Sequence, residues 1–281
     1  MDGQRREPHR AGWQLGSSMD LGIAGKTALI SGGDSGIGWE TARILLDEGV
    51  TVVITDKDQA KLDEAAERLG GSVHAFAADI TSVESIANLH RQVLDTVGDI
   101  DILVQSAGIT GAQGLFHEVD DAGWVETITV DLLGPVRLVS AFLPSLRTGG
   151  WGRVVLLASE DGVQPYDDEI PYCSAKAGVL ALMKGLSRTY ATEGLLVNAV
   201  SPAFIHTPMT DAMMEKRAEQ RGTDVDEAIT SFLDEERPYM ALKRRGEPEE
   251  VASVIAFLCS DRSGFVNGAN YRVDSGAVAS I

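Results

Sequence analysis

The chain has 281 residues, of which 44% are apolar, 24 are Lys or Arg and 42 are Asp or Glu, so its formal net charge at pH 7 is −18. This length favours one α/β domain of about 250 residues over two full-sized domains. The negative charge, with no dense run of Lys or Arg, argues against nucleic acid and anionic membranes as partners.

The compartment and the metal content are inferred from features that the sequence lacks. No segment approaches about 18 consecutive apolar residues, and the first residues lack the apolar stretch of a secretory signal. We therefore expect a cytoplasmic protein that does not enter a membrane. Cys173 and Cys259 are far apart, so we expect reduced thiols and no structural zinc or other metal site.

The first 20 residues differ in composition from the rest of the chain. Because they are rich in Gly, Arg, Ser and Gln and show no apolar period, residues 1–20 are predicted to form a disordered tail before a single domain at residues 21–281. Order-promoting sequence begins abruptly after Met19, so Met19 is a candidate for the natural start. The intact mass of the protein from its native host tests that hypothesis.

From residue 21 onwards, short aliphatic runs alternate with longer stretches of helical period. This alternation is typical of βαβ units and predicts a single-domain, doubly wound α/β fold with a seven-stranded, mainly parallel sheet covered by helices on both faces. The predicted strands are Thr27–Ser31, Thr51–Asp56, Val73–Ala78, Ile102–Gln105, Arg153–Ala158, Leu196–Val200 and Tyr271–Val273. The predicted helices are Gly36–Glu48, Gln59–Leu69, Val83–Val97, Asp121–Leu146, Ile170–Thr192 and Pro248–Cys259, and residues 207–240 predict two more helices outside the alternation.

A glycine-rich turn, SGGDSGIG, joins the first predicted strand to the first predicted helix. Glycine has no Cβ to obstruct a close approach, and the N–H groups at a helix start lack partners, so this turn is typical of a pyrophosphate site. The dinucleotide-binding residues predicted in the turn are Gly32, Asp34, Ser35, Gly36, Ile37 and Gly38.

Asp56 ends the second predicted strand, 18 residues after Gly38. A carboxylate at that position accepts hydrogen bonds from both hydroxyls of an adenosine ribose and repels a 2′-phosphate, which indicates NAD rather than NADP. Asp34 and Ser35 also offer no positive charge to a phosphate. Lys57 partly neutralises the repulsion and keeps NADP open, and a helix-capping role is the alternative interpretation of Asp56.

Two later strand ends complete the predicted cofactor site. Asp79 and Ile80 follow the third strand, where an adenine would lie. Small residues after the fourth strand would let a cofactor rest against the backbone. These small residues are Ser106, Ala107 and Gly108.

A candidate reactive centre follows the fifth strand, which ends at Ser159. Tyr172 comes thirteen residues later in YCSAK, four positions before Lys176. On a helix, this spacing places the phenol and the ammonium on one face about one turn apart. A nearby positive charge favours the phenolate, so the pKa of Tyr172 is predicted to move from about 10 towards neutrality. A surface Lys on an amphipathic helix is the alternative interpretation.

The joint order of these features resembles the compact branch of the short-chain dehydrogenase/reductase family. The resemblance runs from about Leu21 to Ala277 and is carried by SGGDSGIG, TDKD, ADI, LVQSAGI, Ser159, YCSAK, VNAVSPAFIHTPM, GEPEEVASVIAFLCSD and GANYRVDSGA. It implies a Rossmann fold whose ligands bind at the carboxyl ends of the strands. It also implies that Tyr172 transfers a proton, that Ser159 hydrogen-bonds the substrate oxygen and that Lys176 binds the nicotinamide ribose. The residues implied around the carboxamide are Pro202, Ile205 and Thr207.

Departures from the family pattern bear on the chemistry. Asp131 in VDLLG replaces an Asn that, in the family, helps a water-linked proton relay to the Lys, so Asp131 is a candidate catalytic residue. Its charge would form a competing ion pair with Lys176. The family NNAG is QSAG here, the Pro-Gly after the sixth strand is Pro202-Ala203, and the closing DGG is DSG.

The substrate side contains the acidic segment EDGVQPYDDEIP between Ser159 and Tyr172. An exposed acidic loop is the simpler interpretation. If the segment faces the substrate instead, it disfavours anionic acyl thioesters and favours neutral or cationic alcohols. Residues 207–240 resemble the family's variable substrate lid, a small helical segment rich in Met and aliphatic side chains.

These observations predict an NAD(H)-dependent oxidoreductase that interconverts a secondary alcohol and a ketone, with Tyr172 as general acid and base. An NADP(H)-dependent 3-oxoacyl thioester reductase is the first alternative. A catalytically weakened nucleotide-binding regulatory protein, indicated by Asp131, QSAG and DSG, is the second. The resemblance also implies a homotetramer, in which the helices Asp121–Leu146 and Ile170–Thr192 form a four-helix contact.

Overall fold

The computed structural model describes residues 20–280, so the predicted tail up to Met19 and the proposed start at Met19 lie outside the described residues. The strands within this part are β1 Thr27–Ser31, β2 Thr51–Asp56, β3 Val73–Ala77, β4 Ile102–Gln105, β5 Gly152–Leu157, β6 Leu195–Pro202 and β7 Asn270–Val273. They form one sheet in the order β3-β2-β1-β4-β5-β6-β7, and every neighbouring pair is parallel. The predicted doubly wound fold with seven strands is confirmed.

Helices connect the strands and cover both faces of the sheet. Their bounds are α1 Gly36–Asp47, α2 Gln59–Leu69, α3 Val83–Val97, α4 Asp121–Ile128, α5 Gly134–Thr148, α6 Ile170–Tyr190, α7 Pro208–Arg221, α8 Val225–Glu235 and α9 Pro248–Leu258. We call α7 and α8 the lid helices, because they lie outside the regular alternation. Their own small core includes Phe204 and Phe232, whose ring centroids lie 4.7 Å apart.

The helix predicted at Asp121–Leu146 differs from expectation in its middle. Residues Thr129–Leu133 form one π-helical turn between α4 and α5. Pro135 supplies a physical reason, since it lacks the backbone N–H that would bond to the Asp131 carbonyl in an α-helix. The wider turn places the Asp131 side chain in the interior, where its exposed fraction is 0%.

The long stretch Asp121–Thr148 is, among residues 20–280, the one helical segment long and apolar enough to cross a membrane by length and composition. Part of its apolar surface is buried within the domain. Leu138, Phe142 and Leu146 are buried in the cluster that α3, α5 and α6 form on one face of the sheet. Helices α1 and α9 cover the opposite face. Helices in the core of a domain can also be this long and this apolar.

Candidate active site

A cleft of about 910 Å³ opens at the carboxyl ends of the strands. The register explains this position, because Ser31 at the end of β1 pairs with Thr55 in β2 and with Gln105 in β4, so these strands end at one edge of the sheet. The sequence-predicted residues that line the cleft are Gly32, Asp34, Ser35, Gly36, Ile37, Asp56, Ser106, Ala107, Gly108, Tyr172, Lys176, Pro202, Ile205 and Thr207.

The glycine turn presents a helix start to the cleft. Ser35 precedes α1 in an extended conformation, and its side chain makes no capping hydrogen bond, so the first N–H groups of the helix face the cleft without a side-chain partner. Gly32 has φ of +69°, and a Cβ there would lie 2.8 Å from Ala107 N. These features fit a pyrophosphate bound against the backbone at the helix N-terminus.

Of the three predicted cofactor-binding glycines in the turn, Gly32 and Gly36 line the cleft and Gly38 does not. A Cβ at this position would lie 2.0 Å from the Gly32 carbonyl oxygen, so Gly38 lets α1 pack against the turn. Gly38 therefore supports the site by allowing close packing of α1, without contact to the cleft.

The carboxyl groups at the β2 end define the far end of the cleft. Asp56 Oδ1 accepts a hydrogen bond from Lys57 N at 2.7 Å. Burial and then the negative charge of Asp34 raise the pKa of Asp56, with the Lys57 N–H opposing them. The helix-capping alternative is wrong, because Asp58 caps α2 by accepting from the N–H groups of Ala60 and Lys61. A 2′-phosphate on the adenosine ribose would meet the carboxylates of Asp56 and Asp34 here.

Besides Gly38, three predicted cofactor residues lie outside the lining of the cleft. Lys57 follows Asp56 but does not line the cleft. Asp79 is exposed and accepts hydrogen bonds from the N–H and hydroxyl of Thr81. Ile80 is buried and packs where Gly134 leaves room for it, because a Cβ on Gly134 would lie 2.7 Å from Ile80 Cδ1. The local pattern after β3 therefore reflects a turn and core packing.

The opposite wall of the cleft is formed after β6. Thr207 caps α7 by accepting from the N–H of Thr210, and it faces the glycine turn closely enough that a Cβ on Gly36 would lie 3.1 Å from Thr207 Cγ2. Ile205 pairs with Gly246 in an isolated bridge, which fixes the backbone in this wall. The cleft thus runs from the acidic end at Asp56 to Thr207, a path suited to an extended dinucleotide.

Tyr172 and Lys176 lie on α6 as predicted, with the Lys176 Nζ 5.3 Å from the centroid of the Tyr172 ring. The ammonium donates to the Leu157 carbonyl at 3.2 Å and lies 3.6 Å from Asp131 Oδ1. Lys176 is only 3% exposed, so these two groups take the place of water as partners of its ammonium.

The residues around Tyr172 raise its pKa, whereas the sequence predicted a lowered pKa. Burial raises the pKa of Tyr172 well above its ordinary value, and the carboxylates of Asp161 and Asp131 raise it further. The Ser159 side chain acts in the other direction, by hydrogen bonding that favours the phenolate. In this arrangement the Lys176 ammonium lies near both the Asp131 carboxylate and the Tyr172 ring.

Asp131 is held tightly beside this pair. Its Oδ1 accepts from Ile109 N at 3.1 Å, whereas its buried Oδ2 has no hydrogen-bond partner within residues 20–280. Gly108 makes room for the carboxylate, since a Cβ there would lie 2.6 Å from Asp131 Oδ1. Burial raises the pKa of Asp131, and Lys176 opposes that shift.

Ser159 lies just beyond the end of β5, where it begins a single 3-10 turn. Its hydroxyl accepts a hydrogen bond from Asp161 N at 3.3 Å, which holds the side chain in place next to Tyr172. The structure therefore brings all four predicted catalytic residues together at one edge of the sheet. These are Ser159, Tyr172, Lys176 and Asp131.

A second cavity, which we call the substrate cavity, adjoins the cleft and has a volume of about 490 Å³ that is partly open to solvent. It shares Tyr172 with the cleft, so the phenol stands between the two spaces. One wall is apolar and the other is charged. The lining residues are Thr110, Glu160, Asp161, Glu169, Tyr172, Ala203, Phe204, Met209, Thr210, Met213, Phe232 and Arg237.

The charged wall corrects the interpretation of the acidic segment as a fully exposed loop. Asp167 and Asp168 are exposed, but Glu160 and Asp161 are buried, because Arg237 reaches them from the end of α8. Sequence reasoning missed Glu160 and Arg237. Glu160 directly follows Ser159, which was the one available signal, and no motif marks Arg237.

Comparison with known proteins agrees with this geometry. The family model described as enoyl-(acyl carrier protein) reductase matches residues 32–278. The uncharacterized oxidoreductase YvrD of Bacillus subtilis is 34% identical over 265 residues, covering 94% of this chain and 100% of the relative. The 3-oxoacyl-(acyl-carrier-protein) reductase FabG of Aquifex aeolicus is 33% identical over 262 residues, covering 92% and 99%.

A solved structure shows the same likeness in three dimensions. L-sorbose reductase from Gluconobacter frateurii, solved in complex with NADPH and L-sorbose, has a TM-score of 0.88 and 32% identity, covering 94% of this chain and all of that one. Matches of this extent, in sequence and in structure, show that the chain belongs to the short-chain dehydrogenase/reductase family of oxidoreductases.

Proposed function

We propose that this protein is an NAD(H)-dependent oxidoreductase that interconverts a secondary alcohol and a ketone, with Tyr172 as general acid and base. The observation that carries the proposal is the position of Tyr172, which lines both the dinucleotide-shaped cleft and the substrate cavity. A nicotinamide bound in the cleft supplies or accepts the hydride. The surrounding residues transfer the one proton that the reaction also releases or takes up.

The hydroxyl groups of Tyr172 and Ser159 and the ammonium of Lys176 take part in the proton transfer. As an alcohol is oxidised, its hydroxyl proton passes to the Tyr172 oxygen while the hydride leaves the carbinol carbon. Ser159 donates a hydrogen bond to the same substrate oxygen, and Lys176 stabilises the negative charge on the phenolate. Ketone reduction runs these proton movements in reverse.

The choice of NAD(H) rests on the acidic end of the cleft. Asp56 and Asp34 both line it, and each would repel a 2′-phosphate, whereas Asp56 suits the two ribose hydroxyls of NAD. L-sorbose reductase was solved with NADPH, so a direct comparison of the two cofactors is required.

The nature of the ketone rests on the substrate cavity. Arg237 is the one cationic side chain among the lining residues, and Glu160 and Glu169 already pair with it, which disfavours anionic substrates. L-sorbose, bound in the structure of the reductase from Gluconobacter frateurii, is a neutral ketone. The relatives named 3-oxoacyl-(acyl-carrier-protein) reductase favour the alternative, an NADP(H)-dependent reductase of acyl thioesters.

The testing experiment is a panel of secondary alcohols, ketones and a 3-oxoacyl thioester, each assayed with NAD(H) and NADP(H). We expect turnover of neutral ketones with NADH. Tyr172→Phe is expected to lower kcat by at least about a hundredfold while NADH binding is retained. Tyr271→Phe in β7 is the matched control and should leave turnover unchanged.

Two outcomes contradict the proposal. A strong preference for the thioester with NADPH supports the alternative. NADH binding without turnover of any tested substrate supports the nucleotide-binding regulatory protein.

We also propose a cytoplasmic homotetramer. Helices α4 to α6 are the contact that the family resemblance implies, and Val125 and Leu133 on this stretch expose 57% and 38% of their surface. Light scattering coupled to size-exclusion chromatography measures the assembly. A monomeric mass would contradict the tetramer.

A further inference from the structure

The charged wall of the substrate cavity contains three acidic side chains and one basic side chain. These residues are Glu160, Asp161, Glu169 and Arg237. Arg237 Nε donates to Glu160 Oε1 at 3.0 Å, and Arg237 Nη2 donates to Glu169 Oε2 at 3.3 Å. The guanidinium therefore forms hydrogen bonds with two of the three carboxyl groups, and the proposed proton transfer uses none of the four side chains.

Asp161 is the acidic side chain of this wall that lacks a hydrogen bond. Within residues 20–280 its carboxylate accepts none, and Arg237 Nη2 lies 3.8 Å from Asp161 Oδ1, beyond hydrogen-bond distance. Asp161 is only 5% exposed, yet neither of its oxygens is among the fully buried polar atoms without a partner in this part of the chain. Both oxygens therefore keep accessible surface, and Asp161 lines the substrate cavity, where a bound molecule can reach them.

Three observations place Asp161 beside the reacting position. Its backbone N–H donates to the Ser159 hydroxyl oxygen at 3.3 Å. The next residue, Gly162, packs so closely on α6 that a Cβ there would lie 2.8 Å from the backbone carbonyl carbon of Lys176. After burial, the Asp161 carboxylate is the strongest cause that raises the pKa of Tyr172, so the charge of Asp161 lies near the phenol.

The rest of the cavity provides no charge that would balance this carboxylate. Apart from Tyr172 and the four residues of the charged wall, the lining residues are uncharged, and Phe204, Met213 and Phe232 are apolar. Burial and then the charge of Glu169 raise the pKa of Asp161, with Arg237 opposing them. A buried carboxylate without a hydrogen bond is unfavourable, and an ammonium group supplies both the missing donor and the missing positive charge.

We propose that Asp161 is a specificity-determining residue that selects small amino alcohols and the matching amino ketones. In this arrangement, the Asp161 carboxylate binds an ammonium group one or two carbons from the reacting carbon, while Ser159 and Tyr172 hold the reacting oxygen. Oxidation converts the amino alcohol and NAD into the amino ketone, NADH and one proton, and the ammonium group stays protonated throughout. The inference rests on the proposed function, because it names the substrate class of the same site.

The test compares alcohols of equal size that differ in charge. It pairs 1-amino-2-propanol with 2-butanol and 4-amino-2-butanol with 2-pentanol, because in each pair a methyl group replaces the ammonium. For the wild-type enzyme with NAD, we expect kcat/KM to be at least about tenfold higher for the amine in one or both pairs. Asp161→Asn removes the charge, keeps the shape of the side chain and should bring this ratio close to one.

The ratio within a pair is the readout, because both alcohols depend on Tyr172 in the same way and a change in the pKa of Tyr172 cancels. Asp167→Asn is the matched control. Asp167 is an exposed carboxylate of the same segment that does not line the substrate cavity, so this variant should keep the wild-type ratio. Thermal unfolding shows whether both variants fold, and the wild-type comparison needs no variant at all.

Calorimetry with the enzyme saturated with NADH, which cannot oxidise an alcohol, measures binding without turnover. An ammonium beside Asp161 favours its ionised form, so binding of the amine should release protons and its heat should depend on the buffer. Binding of 2-butanol should show no such dependence. The other ionisable groups that act on Asp161 or on which it acts are Glu160, Glu169, Tyr172, Lys176 and Arg237. Loss of the proton release in Asp161→Asn assigns it to Asp161.

Several outcomes separate the two levels of argument. Equal kcat/KM within both pairs would overturn the Asp161 proposal and leave the proposed function intact. A preference for 1,2-propanediol over 1-amino-2-propanol would assign the wall to a neutral hydroxyl group and overturn the cationic class. An amine preference that persists in Asp161→Asn would overturn the role of this residue. If no alcohol is oxidised, the proposed function fails, and calorimetry still decides whether Asp161 binds an ammonium group.

Discussion

The Lys176 ammonium lies 3.6 Å from Asp131 Oδ1, and both side chains are almost completely buried. The pair sits next to Tyr172, and the Asp131 charge is one of the causes that raise the pKa of that phenol. The ammonium is therefore shared between a fixed carboxylate and Tyr172, the residue that we propose transfers the proton. Asp131 stands where the family pattern has a neutral Asn, so the negative charge beside Lys176 is a departure from that pattern.

We predict that Asp131→Asn shifts the pH profile of alcohol oxidation to lower pH by about one unit. The carboxamide keeps the acceptor for Ile109 N but removes a negative charge that opposes the Tyr172 phenolate. The measurement is kcat and kcat/KM for alcohol oxidation as a function of pH.

Glu126→Gln is the matched control for that profile, because Glu126 is exposed on α4 and its change also removes one negative charge. The control should follow the wild-type profile. A profile for Asp131→Asn that also coincides with the wild type would show that the Asp131 charge does not act on Tyr172.

The acidic end of the cleft leads to a prediction about cofactor choice. Asp56→Asn is expected to weaken NADH binding by about tenfold, because a carboxylate forms stronger hydrogen bonds to ribose hydroxyls than an amide does. NADPH binding should tighten, since one of the two charges facing a 2′-phosphate is removed. Fluorescence titration measures both dissociation constants. Asp58→Asn, which preserves the cap of α2, is the control and should leave both constants unchanged.

Arg237 joins the lid helices to the segment after Ser159, and its loss should destabilise the domain. Arg237→Met leaves the buried carboxylates of Glu160 and Asp161 without their cation, an effect of about 3–5 kcal/mol on the free energy of unfolding. Urea denaturation measures the change. Arg221→Met removes an exposed arginine paired with Glu235 and should stay near the wild type. Equal effects of the two substitutions would contradict the role of burial.

The sequence was informative wherever the chemistry depends on neighbouring residues. The glycine turn, Asp56 and the pair Tyr172 and Lys176 are local patterns on elements whose period is strong. Most of the turn and all three of these side chains line the cleft. Parallel strands end at one edge of a sheet, so placing the strands also placed these residues together.

The charged wall of the substrate cavity could not be predicted in the same way. Glu160 and Arg237 are 77 positions apart, and their contact depends on how the lid helices fold over the cleft. Burial of Glu160 is a tertiary property that an acidic stretch does not reveal. Asp79 and Ile80 failed as lining residues for a related reason, because their position after β3 is settled by local turn bonds and core packing.

The stability of the protein should also depend on pH through Glu160. Burial raises the pKa of Glu160 from 4.5 to about 7, with Arg237 opposing the shift. Between these two values the native state binds more protons than the unfolded state, so stability falls as the pH rises through this window. The full shift corresponds to a loss of up to about 3 kcal/mol. Chemical denaturation from about pH 4.5 to 7.5 measures it.

Glu160→Gln tests the assignment of that slope, because the amide does not titrate and its free energy of unfolding should fall less steeply over the same window. Burial also raises the pKa of Asp161, so part of the slope remains in the variant. Glu126→Gln, which changes an exposed carboxyl, should retain the whole wild-type slope. If Glu160→Gln shows the same slope as this control, Glu160 is ionised throughout the window. The pH dependence of the free energy of unfolding then has to come from Asp161 instead.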